Sequence, residues 1–188
     1  MGSAPAPLLA DLSLYLMEKD LVESGNAISA GALILRYLDD VLSVNASYKD
    51  VAKDAYDEPL KFLPDPPKNG KLAFLDLELE VTNGKFKYRT FDKRRSFPFN
   101  INSCPHFDSC VSVSTHCGVG IGQFVRYYRT NYAYADFVYN CKMYIETMRR
   151  RNGRTWHARM IANRFLKKHF ETHKWHVEKS RALRDILW

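Results

Sequence analysis

Between Leu75 and Arg89 the hydrophobicity keeps a period of two on both sides of Asn83-Gly84. Leu75, Leu77, Leu79 and Val81 alternate with Asp76, Glu78 and Glu80, and then Phe86 and Tyr88 alternate with Lys85, Lys87 and Arg89. Two residues is the repeat of a pleated strand, and Asn-Gly readily takes the positive φ angles of a tight type I′ turn. The stretch from Phe74 to Phe91 therefore predicts an antiparallel hairpin with one apolar face, which excludes an all-helical fold and demands a layer to pack against.

Helical signals surround it. From Pro5 to Ser24 the residues Leu8, Leu9, Leu12, Tyr15, Leu16 and Val22 recur at helical spacing, with prolines at the start and Gly25 past the end. "ALILRYLDDVLSV" reads as two short apolar strands about a turn, and residues 47–62 as a polar surface helix stopped near Pro59. Residues 91–120, rich in Ser, Cys and Pro, predict a long ordered loop. Long helices are expected from Gly122 to Arg150 and from Thr155 to about Leu183, broken at Asn152-Gly153. The fold class is thus α+β, a helix with antiparallel hairpins over 1–100 followed by a mostly helical region over 101–188.

Composition fits a packed chain, with 46% hydrophobic and 13% aromatic residues. No apolar run approaches a membrane span, and the first residues carry no basic n-region of a secretory signal, so an intracellular chain without membrane contact is expected. The charge is strongly partitioned. Residues 1–80 hold 7 Lys and Arg against 14 Asp and Glu, net −7, whereas residues 81–188 hold 21 against 7, net +14. A cation-binding centre beside a polyanion-gripping surface has this distribution. In "CPHFDSCVSVSTHC" the intervals between Cys104, Cys110 and Cys117 are irregular and no C-x-x-C occurs, so these cysteines and Cys141 read as small buried hydrophobes rather than a zinc site.

Asp39 and Asp40 stand side by side within the apolar run. Two adjacent carboxylates buried there would repel each other, whereas a hard divalent cation such as Mg²⁺, or Mn²⁺ in its place, would turn the repulsion into coordination. Pairs of such ions stabilise the attacking and leaving oxygens in phosphoryl transfer.

"YLDD", from Tyr37 to Asp40, resembles the Y-x-D-D signature of reverse transcriptases, and "MGSAPAPLLADLSLYLMEKD" is similar to the Gly-Ser turn and helix that precede it there. "FLDLELEV", "GKFKYRTFDKRRSFPFN", "SCPHF" and "GVGIGQFVRYYR" are similar to the segments downstream of that signature in the Penelope-like, telomerase-related group. The resemblance implies that residues 1–100 form the C-terminal part of a polymerase palm, with the YLDD hairpin and a primer-grip-like hairpin, and that 101–188 form a basic thumb. It implies that Asp39 and Asp40 bind metal and are catalytic, that Tyr37 lies under the primer end or nucleotide, and that Gly2 and Ser3 face template and nucleotide. Members of the family use a further metal-binding aspartate upstream of the Gly-Ser turn, and neither Asp11, in the first helix, nor Asp76, in the later hairpin, is a good substitute. A partner segment carrying that aspartate and the fingers is therefore expected.

The basic half supplies the rest of the expected site. Arg89, Lys93, Arg94 and Arg95 cluster after the hairpin, and Arg126, Arg129, Arg149, Arg150, Arg151, Arg154, Arg159, Arg164, Lys167 and Lys168 lie along the helices. Sequence-independent contacts to the phosphates of RNA or an RNA/DNA duplex are their natural use. Most of the interleaved Tyr127, Tyr128, Tyr132, Tyr134, Phe137, Tyr139 and Tyr144 are assigned to helix packing by their spacing, and Trp156 and Trp175 are read the same way. Three functions remain open on the sequence: part of an RNA-directed DNA polymerase, a catalytically inactive RNA-binding subunit of a ribonucleoprotein, or an unrelated nuclease or nucleotidyltransferase.

Overall fold

The computed structural model describes residues 5–24, 31–47, 56, 63–99, 101 and 104–170. Most of the expected surface helix at 47–62, the expected last helix beyond Phe170, Gly2, Ser3 and Trp175 lie outside them. The chain divides into two compact units, residues 1–67 and 68–188. The functional division expected at residue 100 falls inside the second.

In the first unit, helix α1 spans Ala6–Ser24, as its apolar spacing predicts. Strands β1 (Leu33–Tyr37) and β2 (Asp40–Val44) form an antiparallel ribbon in which Leu33 faces Val44, Leu35 faces Leu42 and Tyr37 faces Asp40. Arg36 ties the ribbon to the helix: its guanidinium donates to Glu18 at 2.5 Å and to Asp11 at 2.7 Å, two acids seven positions apart on one helix face. A third donation, to the Leu38 carbonyl at 3.2 Å, braces the turn. Leu42 is the one buried hydrophobic side chain of this unit among the described residues, and Leu8, Leu9, Leu12, Tyr15 and Leu16 of α1 are all more than half exposed.

The second unit begins with a meander. β3 (Lys71–Phe74), β4 (Leu77–Thr82) and β5 (Lys85–Thr90) lie in that order, all antiparallel. The β4–β5 hairpin turns at Asn83 (φ 51) and Gly84 (φ 69), as the Asn-Gly pair predicts. β3 is an addition to the expected hairpin, because the alternation of the sequence runs unbroken through Leu75. In the structure the chain reverses there, Leu75 taking φ 53 and Phe74 pairing with Leu77.

Three helices come next, not two: α2 (Val113–Thr130), α3 (Tyr134–Arg150) and α4 (Thr155–Phe165). α2 starts nine residues before the expected Gly122 because Ser112 caps it, its Oγ accepting the Thr115 N–H at 3.2 Å. The expected continuous helix breaks at Asn131 because that segment bonds to the sheet instead: the Tyr132 N–H donates to the Tyr88 carbonyl at 2.8 Å, and Asn131 Oδ1 accepts the Thr90 N–H at 3.1 Å. The core lies among these helices. Phe124, Phe137 and Phe165 are fully buried, ring centroids 5.7–5.8 Å apart about Phe165, and each contributes about 1.5–3 kcal/mol on burial. α2 and α4 meet at Gly120, where a Cβ would fall 2.4 Å from Ile161 Cδ1.

The α3–α4 turn is closed by Asn152 (φ 64) and by Gly153, whose N–H donates to the Met148 carbonyl at 2.8 Å and whose missing Cβ leaves room for Phe107. Among the described residues, no helix is long and apolar enough to cross a membrane.

Candidate functional site

The turn at the tip of the β1–β2 ribbon is two residues long, Leu38-Asp39, closed by the Tyr37–Asp40 pair. Leu38 takes φ 56, a left-handed conformation that costs a leucine about 1–2 kcal/mol relative to the right-handed region. Asp39, Asp40, Tyr37 and Leu38 are all exposed. The two apolar strands about a turn are as the sequence predicts, and the pair projects at the tip, where water screens the repulsion between the carboxylates.

Neither carboxylate has a hydrogen-bond or ion-pair partner among the described residues, although Arg36 is only three positions away. That guanidinium is committed to α1, where the Asp11 hydrogen bond first and then that of Glu18 hold its pKa above the usual arginine value. Asp11 and Asp76, the two weak substitutes for the further metal ligand, are both engaged by arginines, Asp11 by Arg36 at 2.7 Å and Asp76 by Arg126 at 2.6 Å. For a divalent ion the pair offers the right donor type, accessible hard oxygens without a competing cation. The number falls short: among the described residues no group of three or more His, Cys, Asp or Glu gathers to hold an ion.

The expected phosphate-binding residues separate into two sets. Four are engaged within the fold. Arg89 pairs with Glu78 at 2.5 Å across β4–β5, and Arg126 pairs with Asp76. Arg94 lies along Asp92 in a forked contact, Nε to Oδ1 at 2.7 Å and Nη2 to Oδ2 at 2.8 Å. Burial is the largest influence on Asp92 and pushes its pKa up, but the hydrogen bonds and charge of Arg94 together outweigh it and hold the carboxyl below its ordinary value. Arg95 donates to Asn140 Oδ1 at 2.8 Å and stands over the Tyr139 ring at 5.6 Å. In the other set, Lys93, Arg129, Arg149, Arg150, Arg151, Arg154, Lys167 and Lys168 have no carboxylate partner among the described residues, and of these only Arg151 is less than exposed. Arg159 and Arg164 are exposed on α4.

The Cys and His loop docks the helices. Phe107 stacks on His116 with centroids 4.2 Å apart and lies tilted at 44° against His157 at 4.4 Å, and its N–H donates to the Arg151 carbonyl at 2.9 Å. Cys104, Cys117 and Cys141 are buried, Cys110 is exposed, and all four are free thiols. Burial pushes Cys141 well above the ordinary thiol value, so it is an inert core residue rather than a nucleophile.

The aromatic assignment holds for Tyr127, Phe137 and Tyr144, which are buried, but not throughout. Tyr132 and Tyr139 are each 54% exposed and Trp156 is 48% exposed. A sequence signal existed for Trp156: the buried positions of α4 are His157, Ala158, Ile161, Ala162 and Phe165, and residue 156 lies off that stripe. Lys85 and Lys87 on β5 are exposed cations outside the expected set.

Compared with protein-family models, curated proteins and solved structures, the chain has no match.

Proposed function

We propose that the chain is part of an RNA-directed DNA polymerase that binds primer–template duplex through its basic region and contributes Asp39 and Asp40 to a Mg²⁺ site completed by another segment. The observation that carries this reading is the presentation of the two carboxylates: adjacent, solvent-exposed and without a cation partner among the described residues, at a two-residue hairpin tip that resembles the reverse-transcriptase signature. A divalent ion held there, Mg²⁺ or Mn²⁺, would supply charge stabilisation to phosphoryl transfer. The open apolar side of α1, from Leu8 to Leu16, supports a covering partner, since a stripe of this kind on a small unit invites association. Such a partner, in the same polypeptide or another, carries the further aspartate.

One observation favours a second reading, a catalytically inactive RNA-binding subunit of a ribonucleoprotein: among the described residues the metal ligands stop at two. Primer extension decides between them. The chain alone is expected to bind an RNA/DNA primer–template with strong salt dependence and not to extend it. Addition of a reverse-transcriptase segment bearing the upstream aspartate is expected to restore Mg²⁺-dependent extension, and Asp39→Ala to abolish extension while duplex binding persists. Extension that survives Asp39→Ala contradicts the catalytic reading; duplex binding with no extension in any complemented mixture favours the RNA-binding one.

A further inference from the structure

The segment from 147 to 170 contains eight Lys and Arg and no Asp or Glu. Within it the α3–α4 turn is held rigidly: Gly153 bonds to Met148, Phe107 bonds to Arg151, and the Asn152 side chain donates to Asp108 Oδ2 at 2.5 Å. Arg149, Arg150 and Arg154 are exposed on this frame without a carboxylate partner among the described residues. Trp156 stands two residues beyond Arg154. Its indole rests against the His157 imidazole, ring centroids 3.9 Å apart and planes inclined at 31°, yet the residue remains 48% exposed.

The brace under the indole is itself fixed. His157 is 4% exposed, lies against Phe107, and accepts the Arg154 N–H on Nδ1 at 2.9 Å. A lone exposed apolar side chain needs no explanation. An aromatic surface braced by His157 on the same turn as the exposed Arg149, Arg150 and Arg154 has the two elements that single-stranded nucleic acids use, a stacking face and phosphate contacts.

We propose that this turn binds an unpaired nucleotide of single-stranded nucleic acid, its base stacked on the open face of Trp156 and its flanking phosphates contacted by Arg149, Arg150 and Arg154. Charge complementarity selects a polyanion, and the flat indole selects one that carries bases. The proposal needs neither the metal site nor a duplex, so it stands or falls separately from the polymerase reading.

The test uses the full chain with a fluorescent 12-nucleotide oligo(U) RNA and, separately, a blunt 12-base-pair RNA/DNA duplex. Loss of one base–aromatic stack weakens binding by roughly 5- to 150-fold. Trp156→Ala is expected to lower oligo(U) affinity by at least about fivefold, leave duplex affinity within about twofold, and leave the salt slope unchanged, since no phosphate contact is lost. Arg150→Gln is expected to reduce that slope by about 0.7. Fluorescence provides a second measurement that does not depend on the alanine variant folding: oligo(U) should quench tryptophan emission in the native chain, and the quench should vanish in Trp156→Phe, where Trp175 and Trp188 remain. Unchanged quenching in Trp156→Phe, equal losses for single strand and duplex, or polyglutamate bound with the same dependence on Trp156 would each overturn the proposal.

Discussion

Asn131 carries more of the second unit's architecture than any neighbouring side chain. It is fully buried, and its amide accepts the Thr90 N–H and donates to the Tyr127 carbonyl at 2.7 Å and to Thr90 Oγ1 at 2.8 Å. Removing it leaves a buried backbone donor and acceptor unpaired, each at about 1–3 kcal/mol, so Asn131→Ala should destabilise the unit by about 2–4 kcal/mol. Urea unfolding measures this directly, and a change below about 0.5 kcal/mol would mean that the amide is not the joint between β5 and the helices. None of this was legible in the sequence, where Asn131 sits inside an apparently continuous helical pattern. A polar residue that leaves a helix to bond a distant strand has no local periodic signature.

At the level of elements, sequence and structure agree where the signal is local and part where partners are distant. α1 and the Asn-Gly hairpin come from periodicity and turn chemistry. β3 has no such marker, because Leu75, a leucine with φ 53, stands where a glycine would have signalled the turn. Pairing also redistributed the basic residues: Arg89 meets Glu78 through the register that the Asn-Gly turn sets, whereas Arg126 meets Asp76 through packing, which no spacing rule discloses. Different variants should therefore respond differently to salt. Gln in place of Lys93 or Arg129 should each lower the salt slope of duplex binding by about one, because each phosphate contact releases a counterion. Gln in place of Arg89 or Arg94 should leave the slope nearly unchanged. The slope of log K against log salt for the four variants reads this out, and equal slopes across them would contradict the division into engaged and available cations.

On the scale of the whole chain, charge tracks the two compact units. Residues 1–67 hold 5 Lys and Arg against 11 Asp and Glu, net −6, and residues 68–188 hold 23 against 10, net +13. This separation and the turn between the two apolar strands were visible in the sequence, and the commitment of Arg36 to Asp11 and Glu18 was not. A hairpin places its central residues at its end whatever its strands are made of. The central claim is that Asp39 and Asp40 are ligands for a divalent ion, and Mn²⁺ titration followed by NMR tests it on the chain as it stands. Paramagnetic broadening should appear first at Leu38, Asp39, Asp40 and Val41 and be lost in an Asp39→Asn, Asp40→Asn double variant. Broadening that spares this tip, or persists there without the two carboxylates, would contradict the account.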